Sequence, residues 1–341
     1  MKTISVVSPC FNEAGNVREL YERVRAVIAS LGSYHYEHIF IDNASSDGTV
    51  EVLKRLAVQD QNVKIIVNSR NFGHIRSPVH ALRQARGNAV ISMAADLQDP
   101  PELIHAFVRE WEKGTPIVIA VKRSSSEGGL MFAIRRTYYR LVRKLSDIET
   151  FENFTGFGLY DRKVIEILRA LNDPYPYFRG MIAEIGLPHA EIPFHQERRN
   201  RGITKNNLYS LYDLAMLGIT TLSKVPLRIV TFTGFVSALI CVLISFFYFV
   251  YKLVFWQNFQ VGMAPLVIGI FFLGSVQLMF LGIIGEYIGN IQTIAMGRPL
   301  VFERERINFE FEPGLPLASD VVDEHSVGCP NVKSSRPSCR P

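Results

Sequence analysis

Short apolar runs alternate with helical patterns over the first third of the chain. Ile4 to Ser8, His38 to Ile41, Val63 to Val67, Ala89 to Met93 and Ile117 to Val121 each predict a buried strand. Between the first two, Val17, Leu20, Tyr21, Val24, Val27 and Ile28 recur at helical spacing and mark one buried face. Pro100, Pro101 and Glu102 suit the start of a helix after the fourth run. This alternation predicts an α/β fold, Rossmann-like, with a mostly parallel sheet and helices on both faces. Polar residues follow the apolar runs: Pro9, Phe11, Asn12 and Glu13 after the first, Asp42, Asn43, Ser45, Asp47 and Gly48 after the second, Asp96, Gln98 and Asp99 after the fourth. All three groups fall at the C-terminal ends of strands, the sheet edge where ligands bind in open α/β folds.

The pattern changes beyond Arg228. Ile229 to Tyr251 carries no charge, and as a helix it spans about 34 Å, enough for a hydrocarbon core of about 30 Å. A second uncharged run, Phe259 to Gly285, follows a short joint around Trp256-Gln257-Asn258, so the two predict an antiparallel transmembrane hairpin. Lys224 and Arg228 precede the first span and Arg298, Arg304 and Arg306 follow the second, whereas the joint carries only Lys252. The positive-inside rule therefore places both termini and the catalytic part in the cytoplasm. The apolar run within Met1 to Pro9 is too short for a signal peptide. The expected organisation is a cytosolic domain over 1–206, a juxtamembrane amphipathic segment over 207–228 carrying Leu208, Leu211, Tyr212, Ala215 and Ile219, spans at 229–255 and 259–288, and a cytosolic C-terminal segment over 289–341, disordered from about 313. Gly129 to Asp147 reads as a basic amphipathic segment, either lying on a membrane surface or presenting a solvated helix face.

Composition narrows the chemistry. A net charge of +5 is modest, and basic patches such as Arg198-Arg199-Asn200-Arg201 are explained by an anionic membrane surface and phosphate substrates without nucleic acid. The 4 cysteines show no repeated spacing, so no disulfide or zinc framework is implied. No Gly-x-Gly-x-x-Gly follows the first strand, which argues against an NAD or FAD site. Three polar loops converging on one edge suit a nucleotide, with acceptors for base and ribose near Asp42 and hard oxygen ligands near Asp96 for Mg²⁺ or Mn²⁺. Asp47-Gly48-Thr49 taken alone reads as a turn and helix cap.

As an ordered set these segments are far more specific. Ser8 to Glu13, Ile41 to Thr49, Ser69 to His74, Ala95 to Glu102, Thr155 to Arg162, Phe178 to Ile182 and Arg201 to Lys205, followed by the two-span hairpin, resemble the inverting GT-A glycosyltransferases acting on polyprenyl phosphates, the dolichol-phosphate-mannose synthase and bacterial GtrB-like group. The resemblance covers about Ile4 to Arg306 and implies transfer of one sugar from a nucleoside-diphosphate sugar to a polyprenyl phosphate, with inversion, at a bacterial cytoplasmic membrane. Carried onto this chain, it places Pro9, Asn12, Glu13 and Asp42 on the nucleotide, and Asp96 and Gln98 on the metal and diphosphate. It makes Arg123, Arg135 and Arg136 candidates for the acceptor phosphate, and Arg199, Arg201 and Lys205 candidates for the diphosphate or a loop closing over it. Two positions depart from the family pattern: Ala94 stands where an Asp-x-Asp-x-Gln motif has its first carboxylate, and Thr155-Gly156-Phe157-Gly158 stands where many members carry Gly-Asp-Phe-Arg. A phosphate monoester is mostly dianionic at neutral pH, so an acceptor of this kind needs no strong general base.

Two rival readings remain. A processive polysaccharide synthase shares the core but resembles chains with more spans and a Gln-x-x-Arg-Trp motif, which Gln196-Glu197-Arg198-Arg199-Asn200 lacks. A catalytically silent membrane scaffold that binds nucleotide sugar draws its support from Ala94. The donor sugar, its base and any homo-oligomeric state do not follow from the sequence.

Overall fold

The computed structural model describes residues 1–122, 151, 153–171, 173–174, 176–196, 225–254 and 263–309. The expected segments at 129–147 and 208–219, the joint at 256–258, the near-match at 196–200 beyond Gln196, and the tail from 313 lie outside the described residues. The chain runs β1 Lys2–Cys10, α1 Val17–Leu31, β2 Tyr34–Asp42, α2 Thr49–Gln59, β3 Val63–Asn68, α3 Gly73–Gln84 and β4 Ala89–Ser92. A 3₁₀ turn Pro101–Leu103 then leads into α4 Ile104–Glu112, β5 Ile117–Lys122, β6 Phe154–Asp161, α5 Arg162–Leu171, α6 Phe178–Ile185 and β7 His189–Phe194. Two long helices, α7 Val225–Val254 and α8 Met263–Ala295, precede the last strand, β8 Glu303–Ile307.

The eight strands form one sheet in the order β7-β5-β6-β4-β1-β2-β3-β8. The pairs β1/β2, β1/β4, β2/β3 and β5/β7 are parallel, while β6 runs antiparallel to both β4 and β5. Both faces are buried, which is why the first strands read as continuous apolar runs rather than alternating ones. Ile4 and Val6 point into one core with Leu20, Val24, Leu53 and Phe107, beneath α1, α2 and α4. Val7, Ile39 and Ile41 point into the other with Leu82, Val164, Leu168 and Ile182, beneath α3, α5 and α6. The predicted face of α1 is the buried one. At β6, a Cβ on Gly158 would lie 2.5 Å from the Val118 carbonyl oxygen, so only glycine lets β5 and β6 approach this closely.

The long helices carry exposed apolar side chains, including Phe232, Phe235 and Leu239 on α7 and Leu278, Leu281 and Ile291 on α8. Among the described residues, one helix, Phe272–Ala295, is long and apolar enough to cross a membrane, and it is wholly unburied by the protein. It is part of α8, which runs from Met263 to Ala295 and includes Glu286. Beyond α8 the chain returns to the sheet. β8 pairs antiparallel with β3 at the edge, and Ser69 N–H donates to the Phe302 carbonyl at 2.9 Å where it arrives. Glu303 is buried and accepts from His80 Nε2 at 2.6 Å and from Arg306 at 2.6 and 2.8 Å, while Lys54 pairs with Glu305 at 2.7 Å.

Candidate active site at the carboxyl edge of the sheet

The loops after β1, β2 and β4 each hold one non-glycine residue in the left-handed region: Asn12 at φ 59°, Ala44 at φ 62° and Leu97 at φ 61°. Such backbone persists only where the surroundings over-determine it, and it concentrates at ligand sites. Here the surroundings are a set of hydrogen bonds between loops. Asn12 N–H donates to Ser45 Oγ at 2.8 Å and its side-chain oxygen accepts from Ser46 N–H at 2.9 Å. Glu13 N–H donates to Thr49 Oγ1 at 2.9 Å and Ala14 N–H to Asp47 Oδ2 at 3.1 Å. Asp47 Oδ1 also accepts from Thr49 N–H at 3.1 Å, so this residue holds the start of α2, as its local pattern predicts.

Asn43 ties in a further loop. Its amide nitrogen donates to Asn71 Oδ1 at 2.9 Å and to the Gly73 carbonyl at 3.1 Å, and its Oδ1 accepts from Phe72 N–H at 2.9 Å and Asn68 Nδ2 at 3.1 Å. The segment Asn71 to His74 is thereby held against the strand ends. Together these loops bound a cleft of about 720 Å³ whose walls include Pro9, Asn12, Glu13, Asn71, Asp96 and Asp99, closed on its far side by Thr155, Gly156, Tyr177 and Arg179.

Of the residues expected at the nucleotide, Pro9, Asn12 and Glu13 line this cleft. Glu13 is buried, with Oε2 accepting from Asn16 Nδ2 at 2.5 Å. Asp42 is fully buried beneath the turn and accepts from Ser45 N–H at 2.9 Å; burial raises its pKa against the opposing pull of the Ser45 bonds. It does not reach the cleft wall. Asp96 lines the cleft, and its Oδ1 accepts from Gln98 N–H at 3.2 Å; Gln98 itself is not part of the lining. Arg123, Arg135, Arg136, Arg199, Arg201 and Lys205 lie outside the described residues. Asn43 and Arg179 fall within segments that carry the family resemblance, but the role of Asn43 as a structural hub and the places of Tyr177 and Arg179 in the cleft emerge only in the folded chain.

Asp99 sits beside Asp96 in a different environment. Its Oδ2 accepts from Ala94 N–H at 3.1 Å, and burial, with the Asp96 charge adding to it, pushes its carboxyl up to about 7. The neighbouring carboxylate Asp96 lines the open cleft. Among the described residues no group of three or more His, Cys, Asp or Glu side chains gathers as a metal cage. One cleft carboxylate with adjacent polar oxygens fits Mg²⁺ or Mn²⁺, hard cations that use few protein ligands and fill their shells with water and diphosphate oxygens.

A family model described as glycosyl transferase family 2 matches residues 5–168. An uncharacterised glycosyltransferase of Synechocystis sp. is 33% identical over 311 residues, 91% of this chain and 97% of its own length. The bactoprenol glucosyl transferase of Shigella phage SfII is 35% identical over 298 residues, 87% of this chain and 96% of its own. Among solved structures, glucosyl-3-phosphoglycerate synthase from Mycobacterium tuberculosis aligns over 65% of this chain and 79% of its own at 17% identity and a TM-score of 0.45.

Proposed function

Because this chain belongs to glycosyl transferase family 2 and is a glycosyltransferase, we propose that it moves a single sugar from a nucleoside diphosphate to a polyprenyl phosphate at a membrane surface, inverting the anomeric carbon. The observation that carries this reading is the pairing of the stitched, carboxylate-bearing cleft with a long, unburied apolar helix in the same chain. Relatives named bactoprenol glucosyl transferase support the acceptor class. The reading places α7 and α8 in the membrane as a hairpin, with the sheet domain and both termini on the cytoplasmic side of a bacterial inner membrane.

On this reading Pro9, Asn12 and Glu13 hold the nucleotide end of the donor, and Asp96 faces its diphosphate. Asp96, with Gln98 beside it, would hold Mg²⁺ or Mn²⁺, and such a cation supplies charge neutralisation for a departing diphosphate. The acceptor phosphate is mostly dianionic near neutral pH and attacks without losing a proton. Gly156 accordingly leaves no acid at that point of the cleft wall, and the protein's work is to orient two anions in line. Arg123, Arg135 and Arg136 are assigned to the acceptor phosphate, and Arg199, Arg201 and Lys205 to a loop that closes over the diphosphate.

The test is transfer itself. Full-length protein in detergent or proteoliposomes, with Mg²⁺ or Mn²⁺, undecaprenyl phosphate and a panel of radiolabelled nucleotide sugars, is expected to move label into the lipid extract. Nucleotide binding with no transfer across the panel would leave the silent-scaffold reading that Ala94 favours; long polymer would leave the processive one.

A further inference from the structure

The described walls of the cleft have an imbalance of charge. They carry the carboxylates of Glu13, Asp96 and Asp99, yet the substrates on the proposed reading are two phosphoryl anions. Among the described lining residues, one is an arginine or lysine: Arg179. It has no hydrogen-bond or ion-pair partner among the described residues. Nearby arginines differ in this respect: Arg162 reaches the Ala85 carbonyl at 2.8 Å and pairs with Glu166 at 2.6 Å, and Arg169 reaches the Arg83 and Ala85 carbonyls. A guanidinium at a cleft wall with no hydrogen-bond or ion-pair partner among the described residues has its fork of donors to offer a ligand.

The backbone that carries Arg179 is fixed. Phe178 packs edge-on against the buried Tyr160 ring with centroids 5.4 Å apart, and Tyr160 OH donates to the Gly156 carbonyl at 3.0 Å. Gly156 sits at φ +101°, a backbone conformation that favours glycine, and a Cβ there would make only ordinary van der Waals contact with the Phe178 ring, at 3.7 Å. Position follows from strand order. β4 carries the Asp96 loop and lies between β1, which carries Pro9 and Glu13, and β6, on which α6 rests. Nucleotide side, Asp96 and Arg179 therefore succeed one another across the sheet edge, with Arg179 on the far side of Asp96 from the nucleotide.

Resting on the transferase reading above, we propose that Arg179 is an anion-binding residue of the cleft that receives the phosphate of the incoming polyprenyl phosphate, opposite the donor's nucleotide. A bidentate guanidinium–phosphate contact is short, charge-assisted and directional, and it offsets the repulsion between the acceptor and the carboxylate-lined cleft.

The test compares full-length wild type with Arg179→Gln and Arg179→Lys in the same detergent. Calorimetric binding of farnesyl phosphate, a short polyprenyl phosphate, is measured separately from binding of UDP and GDP in the presence of Mn²⁺. The KM for undecaprenyl phosphate is then read at saturating donor. Arg179→Gln is expected to weaken farnesyl phosphate binding and raise the acceptor KM by about 10- to 100-fold, with partial recovery in Arg179→Lys and nucleotide affinity within about two-fold of wild type. Unchanged farnesyl phosphate affinity in Arg179→Gln, no binding of it by wild type, or an equal loss of nucleotide affinity would overturn the assignment. Arg179-dependent binding of farnesyl phosphate by a wild type that transfers no sugar would leave the assignment standing and overturn the transferase reading alone. If the glutamine variant melts well below wild type, the lysine variant carries the comparison.

Discussion

Replacing Glu303 with glutamine should weaken the hold that the last strand has on the sheet, and should do so in a pH-dependent way. The Glu303 side chain is 4% exposed and receives hydrogen bonds from Arg306 at 2.6 and 2.8 Å and from His80 at 2.6 Å. Burial alone would raise its pKa, but the Arg306 and His80 hydrogen bonds and their charges outweigh it and bring the carboxyl from an ordinary 4.5 to about 2. Because the folded value lies below the unfolded one, the carboxylate contributes stability above about pH 4.5, and that contribution fades as the pH falls toward 2. The difference corresponds to about 3 kcal/mol at neutral pH. For a domain of this size that is a fall in Tm of roughly 6–12 °C. The assay is thermal unfolding of wild type and Glu303→Gln in one detergent, followed by intrinsic fluorescence at pH 7, 5 and 3.5. The gap should be full at pH 7, nearly so at pH 5 and clearly narrowed at pH 3.5. A gap below about 2 °C at pH 7, or one of equal size at all three pH values, would refute the electrostatic account of how β8 is held.

Two further substitutions test the cleft and the sheet. Asp96→Asn should lower transfer by at least about 100-fold and remove the Mn²⁺ dependence of nucleoside diphosphate binding seen by calorimetry; unchanged transfer would remove Asp96 from the site. Gly158→Ala forces a Cβ to within 2.5 Å of the Val118 carbonyl oxygen, a backbone atom that cannot move aside freely, and should destabilise the fold by about 1–3 kcal/mol in a denaturant titration.

The legible parts of this fold are those where burial on both faces writes itself into composition. The runs beginning at Ile4, His38, Val63, Ala89 and Ile117 are central strands packed from both sides, and β1, β2, β3 and β5 extend one or more residues beyond their apolar cores. β6 belongs to a recognisable segment, Thr155 to Arg162, but its antiparallel direction is set by partners that no local pattern encodes. β8 is illegible for a clearer reason. Glu-Arg-Glu-Arg-Ile holds one apolar residue, and an edge strand is specified by backbone pairing and ion pairs rather than by a buried stripe. At the site, Asp96, Glu13 and Asn12 follow strand ends and were visible for that reason, whereas Arg179 comes from a helix over a hundred positions from the β2 loop and joins them only in the folded chain.

The position of β8 also joins two regions that the sequence keeps apart. α3 faces the cleft with Gly73, His74, Ile75 and Pro78, while its His80 bonds to Glu303. Arg76, on the same helix, borders a second cavity of about 510 Å³ whose other walls are Gly282, Gly285, Glu286, Gly289, Asn290 and Thr293 of α8. One helix thus forms part of the cleft, shares a cavity wall with the apolar helix and bonds to the strand that follows it. The Glu303–His80 bond ties α3 to the strand that follows α8, and so constrains where the chain re-enters the sheet domain after the apolar helix. For an acceptor whose phosphate stays at a membrane surface, that constraint has a chemical use. Rate depends on presenting the donor in line with a nucleophile whose height is set by the lipid, and an error of about 1 Å in that presentation can cost about 100-fold.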